Sequence, residues 1–162
     1  MVDNLTAIKA AVAAVLGALT AFWGWFGWLA CLWVGLMLLD YLSGTSAACK
    51  NGEWSSAAAR SGVWHKAGEV VVVLVAACAD LLLGLVLDNL PVVQLPVAFR
   101  GIVCPLVLVW YCITELGSIA ENAVLMGARV PAWLTKLLQI SLDAVDGAGE
   151  QAGAGTEDRK EE

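Results

Sequence analysis

The sequence predicts an all-α protein that crosses a membrane several times. Three observations indicate this class. Apolar residues make up 60% of the 162 residues, charged residues only 15%, and the mean hydropathy is +0.77. Ordinary soluble domains are about 45–50% apolar and about 25% charged. The sequence also holds eight tryptophans but only three phenylalanines, as expected where indole rings lie at the boundary between lipid and water.

The first predicted span lies in a long uncharged run. Thirty residues without a charge separate Lys9 from Asp40, and about 20 apolar residues suffice to cross the hydrocarbon core. The run changes from alanine-rich to tryptophan-rich around Gly24, so we predict a crossing at about 22–42 after a shorter helix. That shorter helix either crosses as well, which makes four spans, or lies on the surface. A cleaved signal peptide fits less well, because its apolar region would be about 7–15 residues long.

Two further apolar runs predict the second and third spans. The second span, at about 70–88, is interrupted only by Asp80. The third apolar run is short, so we predict a span at about 97–115 that places Arg100 just inside the apolar layer, with its long stem carrying the charge outward. Two residues between the runs discourage helix and predict a short turn there: Pro91 and Pro96.

The C-terminal part predicts an amphipathic helix and a tail. The polar face from Tyr111 to Asn122 predicts that the third helix continues beyond the membrane. Gly127 then loosens the helix, and Pro131 suits the first turn of a helix over 131–142. That helix would lie on the membrane surface, against a partner or on its own bundle. The segment 146–162 is rich in Gly, Ala and Glu, so we predict a disordered acidic tail after a membrane domain over 1–145.

Lysine and arginine predict the orientation. With three spans, seven of these residues fall on the side that holds the loop between the first two spans and the C-terminus, and two fall on the other side. Because positive residues favour the cytoplasm, we expect the C-terminus to be cytoplasmic. The N-terminus is then outside with three spans and inside with four.

Several function classes are disfavoured by the sequence. No nucleophile and base stand at a catalytic spacing and no Gly-rich phosphate loop occurs, so we predict no enzymatic activity and no cofactor. The five cysteines lack a CxxC spacing and are expected to be small apolar side chains between helices rather than metal ligands. Of the net charge of −6, −5 lies after Leu142. No basic patch remains for nucleic acid.

Polar residues follow helical spacing in the second and third spans. One face of the second span carries Lys66, Glu69, Val73, Ala76, Asp80, Gly84 and Asp88, and one face of the third carries Tyr111, Glu115, Ser118 and Asn122. A charge in mid-membrane costs roughly 2.5–3.5 kcal/mol on insertion scales, so these faces should avoid lipid. Either they satisfy one another within a monomeric bundle, or they face a common lumen in a homo-oligomer. The candidates for a pore or oligomer face are Asp80, Gly84, Asp88, Tyr111, Glu115, Ser118 and Asn122.

Four sequence features follow one another in a distinctive order. They are LDYLSG at 39–44, SGVWHK at 61–66, Asp80 inside the second span, and ELGSIAENAVLMGARVPAWL at 115–134. Together they resemble the bacteriophage holin family that includes the clostridial toxin-secretion holins. The motif positions are Asp40, Tyr41, Gly44, Gly62, Lys66, Ile119, Glu121, Gly127 and Pro131. The chain departs from the family at Thr114, where relatives often have Asn.

The resemblance implies a non-enzymatic function in the host cytoplasmic membrane. Subunits of such proteins associate with one another and open lesions through which an endolysin, or in some relatives a toxin, leaves the cell. The implied partners are therefore membrane lipid, further copies of the chain, an endolysin or toxin as cargo, and a possible antiholin. Two other classes stay open: a non-lytic membrane adaptor or antiholin, and a small channel or transporter.

Overall fold

The computed structural model describes residues 2–89 and 101–154, and within these ranges the chain forms four α-helices. They are α1 (Val2–Asn51), α2 (Ser56–Asn89), α3 (Val103–Leu125) and α4 (Ala132–Ala154). Three segments are long and apolar enough to cross a membrane: Phe26–Asn51, Ser56–Asn89 and Val103–Leu125. The predicted all-α, multi-span class is confirmed. The predicted turn at Pro91 and Pro96, the position of Arg100 and the last eight residues of the predicted tail lie outside the described residues.

Helix α1 has a break at Gly24 and extends beyond the predicted crossing. The backbone of Gly24 is left-handed, with φ 58° and ψ −153°, where the sequence changes from alanine-rich to tryptophan-rich. The helix continues past the predicted crossing at about 22–42, because the polar residues that follow Asp40 remain helical to Asn51. Three hydroxyl groups donate to carbonyl oxygens three or four residues earlier, at 2.7–3.0 Å: those of Ser43, Thr45 and Ser46. These bonds give the hydroxyl groups hydrogen-bond partners within the helix itself.

Helices α2 and α3 also differ from the predicted spans. Helix α2 begins at Ser56 rather than near 70, because the Ser55 hydroxyl accepts a hydrogen bond from the Ala58 N–H at 3.1 Å and so caps the new helix. Helix α3 runs from Val103 to Leu125. It begins after the start of the predicted span at about 97, and it continues past 115, as the polar face from Tyr111 to Asn122 predicts. It ends at Gly127, whose φ of +93° suits a left-handed cap.

Helix α3 lies at the centre of the bundle. It packs against α1, α2 and α4, whereas α1 and α2 contact each other little. Helices α1 and α3 are parallel, since Trp33 lies beside Tyr111 and, further along both helices, Lys50 lies beside Met126. Helix α2 is antiparallel to both. The buried apolar core consists of Trp33, Leu36, Ala76, Cys104, Leu108 and Cys112. The three helices that could cross a membrane are therefore joined through α3.

The outer faces of the bundle are apolar. Large side chains such as Leu38, Val75 and Leu82 are 60–64% exposed, as expected for helices surrounded by lipid rather than water. All five cysteines are free, and Cys104 and Cys112 are buried as predicted. The prediction is wrong for the other three, which are exposed because they lie on outward helix faces: Cys31, Cys49 and Cys78.

Helix α4 is longer than the predicted amphipathic helix. It covers Ala132–Ala154 instead of 131–142, so the first nine residues of the predicted disordered tail, 146–154, are helical. The physical reason is packing, because α4 lies against α3. Val145 and Gly149 line a shared groove with residues of α2 and α3, among them Trp110. Of the three places that the sequence left open for this helix, the structure shows docking on its own bundle.

Candidate functional site at the Lys66 cluster

One ammonium group joins three carboxylates from three helices. Lys66 Nζ of α2 lies 2.9 Å from Asp40 Oδ2 of α1 and 3.6 Å from Glu69 Oε1 of its own helix. It also donates a hydrogen bond to Glu115 Oε1 of α3. The four side chains, which we call the Lys66 cluster, are between 2% and 17% exposed. Ion pairs this far from water are screened little by solvent and salt.

The Lys66 cluster has more acceptors than donors. His65 adds a weak fourth contact, with Nε2 3.5 Å from Glu69 Oε1, although its side chain is 79% exposed. Glu69 Oε2 and Glu115 Oε2 are buried and have no hydrogen-bond partner among the described residues. A buried oxygen without a donor is costly. The single ammonium group of Lys66 therefore has to balance three carboxyl groups.

Asn122 forms a second link between α1 and α3. Its Nδ2 atom donates to Asp40 Oδ1 and to Ser43 Oγ, both at 3.0 Å. Gly44 of α1 faces Asn122, since a Cβ atom there would lie at van der Waals distance, 3.4 Å, from Asn122 Nδ2. Asn122 therefore fixes the carboxylate of Asp40 beside Lys66.

We expect Asn122→Ala to lower the free energy of unfolding by about 1–3 kcal/mol, because buried acceptors on α1 lose their donor. Reversible unfolding in detergent micelles measures the change. The control is Thr114→Ala on the same helix, since this exposed hydroxyl donates only locally, to the Trp110 carbonyl at 3.0 Å. Equal losses in the two variants would show that Asn122 does not join the helices.

Two adjoining cavities flank the Lys66 cluster. They measure about 340 and 410 Å³, and we call them together the acidic cavity. Both are lined by Asp40, Ala58, Gly62, Lys66 and Ser118. The first also reaches Glu121, which is exposed at its mouth, and the second reaches the two buried glutamates of the cluster. Within the described residues no group of His, Cys, Asp and Glu is arranged to hold a metal ion.

Asp80 lies away from the Lys66 cluster and contacts the N-terminal end of α3. Its Oδ1 atom accepts hydrogen bonds from the N–H groups of Ile102 and Val103, each at 3.0 Å, and its Oδ2 atom accepts one from Cys104 at 2.8 Å. The first N–H groups of a helix have no partner within the helix, and the helix dipole favours an anion there. Asp80 thus caps α3 and ties it to α2. This contact also explains why α3 begins where it does.

Gly101 makes room for the Asp80 carboxylate. A Cβ atom at this position would lie 2.8 Å from Asp80 Cγ, and the backbone has φ +79°. A left-handed backbone costs an L-residue roughly 1–2 kcal/mol before any clash is counted.

We therefore expect Gly101→Ala to lower the free energy of unfolding by about 2 kcal/mol or more. Thermal unfolding in detergent measures the loss. The matched control is Gly35→Ala, since a Cβ atom on this helical glycine meets nothing within 4 Å. Alanine there should be neutral or slightly stabilising. A Gly101 variant as stable as the Gly35 variant would contradict the capping geometry.

The predicted polar faces of α2 and α3 lie against neighbouring helices within one chain. On α2, Glu69 and Ala76 are buried, Gly84 is half-buried and Asp88 is exposed. On α3, the ring of Tyr111 packs 6.0 Å from that of Trp33. Asp80, Glu115 and Asn122 form the hydrogen bonds described above. Ser118 lines the acidic cavity. The chain itself thus supplies partners for the main polar groups, which is one of the two alternatives that the sequence left open. A place for these residues in a shared lumen stays a prediction.

Most motif positions gather around the acidic cavity, although they are up to about eighty residues apart in sequence. The lining includes Asp40, Tyr41, Gly44, Gly62, Lys66, Ser118, Glu121 and Asn122. A Cβ atom at Gly62 would contact the Tyr41 ring at 3.7 Å, so this glycine lies where α2 meets α1. Three motif positions serve the fold elsewhere: Ile119 packs on the core, Gly127 ends α3 and Pro131 precedes α4.

The comparison with known families decides the classification. A family model described as the bacteriophage holin family matches residues 17–142. The chain belongs to the bacteriophage holin family. The match covers more than three quarters of the chain and includes the Lys66 cluster and Asp80, which confirms the resemblance. The holin family is a class of non-enzymatic, pore-forming membrane proteins. No curated protein and no solved structure matches the chain.

Sequence reasoning named the residues of this holin-family site but not their pairing. It placed Lys66, Glu69 and Asp80 on one face of α2, and Glu115 and Asn122 on one face of α3. It did not identify Asp40 as the third carboxylate on Lys66, nor the cap on α3. Two sequence features could have indicated them. Asp40 stands at the end of an uncharged run, and Gly101 stands just before the apolar run of α3.

Proposed function

We propose that this chain is a holin that accumulates in the host cytoplasmic membrane and assembles with copies of itself. The assemblies open lesions that release an endolysin, with a toxin as the alternative cargo, and an antiholin is a possible further partner. The observation that carries the proposal is the family match over residues 17–142. Three helices able to cross a membrane, with large apolar side chains on their outer faces, support it.

The buried polar groups suit a subunit that first collects in the membrane. Because Lys66, Glu115 and Asp80 find partners inside one chain, a single bundle can rest in lipid without exposing the carboxylates of Glu115 and Asp80. Lining a lesion with the polar faces of α2 and α3 would require the two helices to separate. That movement would break the hydrogen bond between Lys66 and Glu115.

The test is to induce the gene in a bacterium, with and without an endolysin that has no export signal. We expect abrupt dye entry after a delay, and rapid loss of turbidity only when the endolysin is present. A chain that stops after Gly52, and so contains α1 alone, is the control at equal membrane level. Graded uptake of a solute by viable cells would indicate a channel or transporter, and no leak an adaptor or antiholin. Either result would overturn the proposal.

The proposed orientation has the ends of α1 and α3, the start of α4 and the C-terminus in the cytoplasm. Cys49 is an internal probe, because it is exposed near the end of α1 at Asn51. Before lysis begins, a membrane-impermeant maleimide should label Cys49 in inverted vesicles but not in intact spheroplasts. Cys49→Ser should abolish that label. Labelling of Cys49 in intact spheroplasts would reverse the assignment.

A further inference from the structure

We propose that Glu69 and Glu115 hold one proton between them, and that this shared proton helps to keep α2 joined to α3. The inference does not rest on the proposed function, because it concerns the folded subunit by itself. It adds a bound proton to the ion pairs of the Lys66 cluster and makes the stability of the subunit depend on pH.

The two carboxyl groups meet inside the bundle. Both contact one nitrogen atom, Lys66 Nζ, and the two groups lie within hydrogen-bond distance of each other. Their side chains are only 8% and 2% exposed, so solvent and salt screen their charges little. An ionised carboxylate accepts hydrogen bonds but has none to donate. A hydrogen bond between the two groups therefore requires that one of them carries a proton.

The balance of charges favours the same assignment. If every group in the Lys66 cluster were ionised, three negative charges would stand against one positive charge. Asp40 takes part of that positive charge, because its Oδ2 atom lies 2.9 Å from Lys66 Nζ. Two carboxylates that share a buried site repel each other, and one of them then keeps its proton. Oε2 of Glu69 and Oε2 of Glu115 are both open to that proton, because neither oxygen has a donor among the described residues.

The other titratable side chains around the pair do not replace the proton. Tyr111 and Cys112 face the pair from α3, since the charge of Glu69 acts on Tyr111 and that of Glu115 acts on Cys112. Neither side chain donates to the two Oε2 atoms. His65 contacts Glu69 from its own helix, but its Nε2 atom is 3.5 Å away and its side chain is 79% exposed. The charged groups that face the pair from α1 and α2 are otherwise those of the Lys66 cluster itself.

The shared proton sets the sign of the pH dependence. In the unfolded chain a glutamate side chain releases its proton at about pH 4.3, whereas the folded pair still holds one. The folded state then binds one proton more than the unfolded state, so its stability falls as the pH rises. Above about pH 5, each unit of pH should raise the unfolding constant about tenfold until the pair itself is fully ionised.

Infrared spectroscopy of the full chain, in a detergent that has no carbonyl group, tests for the proton directly. At neutral pH we expect the carbonyl band of a protonated carboxyl group, which shifts in D2O. Glu69→Gln and Glu115→Gln should each remove the band, because either substitution takes away one of the two groups that share the proton. The matched control is Glu121→Gln, which replaces an exposed carboxyl group of α3 and should leave the band unchanged.

Reversible unfolding at a series of pH values gives the second measurement. Glu69→Gln should unfold with a weaker dependence on pH than the unsubstituted chain, because its amide N–H can donate to Glu115 at any pH. Glu121→Gln should keep the full dependence. Comparing variants in this way cancels the titration of His65, which all of them retain.

Three results would overturn the inference. The first is an unsubstituted chain without the protonated band at neutral pH, which does not depend on whether any variant folds. The second is a band that survives Glu115→Gln, because the proton would then belong to Glu69 alone. The third is a pH profile that Glu69→Gln leaves unchanged, because the proton would then contribute nothing to the stability of the bundle.

Discussion

Replacing Lys66 by methionine is expected to lower the free energy of unfolding by about 3–5 kcal/mol. Methionine keeps the length and apolar stem of lysine but removes the one ammonium group that Asp40, Glu69 and Glu115 share. Three nearly dry carboxylates would then repel one another at the junction of three helices. Reversible unfolding in detergent, followed by the helical circular dichroism signal, measures the loss. In cells the variant should accumulate less in the membrane.

Two further variants show whether the loss comes from the buried ion pairs. Lys136→Met removes an exposed ammonium from α4 and should change stability by less than about 0.5 kcal/mol. Adding Glu115→Leu to Lys66→Met should recover part of the loss, because the most deeply buried carboxylate disappears together with its partner. A Lys66→Met chain as stable as the Lys136→Met chain would mean that the Lys66 cluster does not hold the helices together.

Asp80→Ala is expected to lower the free energy of unfolding by about 2–3 kcal/mol, because three N–H groups at the start of α3 lose their acceptor. Water cannot replace the carboxylate if this end of the helix lies in lipid. Asp80→Asn should lose less, since the amide oxygen can still accept and asparagine is a good capping residue. Unfolding in detergent micelles ranks the three chains, and hydrogen exchange of Ile102, Val103 and Cys104 locates the effect.

Asp88→Ala is the matched control for the Asp80 variants. Asp88 lies on the same helix two turns later and is exposed, so its removal should leave stability and hydrogen exchange near those of the unsubstituted chain. The informative contrary result would be an Asp80→Ala chain that is fully stable but fails to permeabilise cells. Asp80 would then act in a lumen, as the periodicity of the sequence allows, and not as a cap.

The sequence predicted the helical class and the inward faces well, because both depend on local periodicity. Steps of three and four along α2 placed Lys66, Glu69 and Ala76 on one side, and the structure buries that side. Periodicity says which face of a helix avoids lipid but not what covers it. The distances from Lys66 to Asp40 and Glu115 show that helices of the same chain cover these groups, whereas a shared lumen stays a prediction.

Helix ends are predicted less directly than membrane crossings, for a related reason. Counting about 20 apolar residues gives the length of a crossing and not the ends of the helix that makes it. Here the residues beyond Asp40 continue α1 through bonds of their hydroxyls to backbone carbonyls, and Asp80 fixes the start of α3 from another helix. The start of α3 and the length of α4 depend on contacts between helices, which one segment of sequence does not reveal.

The central position of α3 has a consequence for biogenesis. The ribosome delivers α1 and α2 first, and these two helices contact each other little. Until α3 follows, Glu115 and Asn122 are missing from the side of Lys66 and Asp40, and Asp80 has no N–H groups to bind. A nascent chain interrupted before Val103 would therefore contain two apolar helices, α1 and α2, that pack little against each other. We expect such a fragment to accumulate in the membrane less than a chain that contains α3.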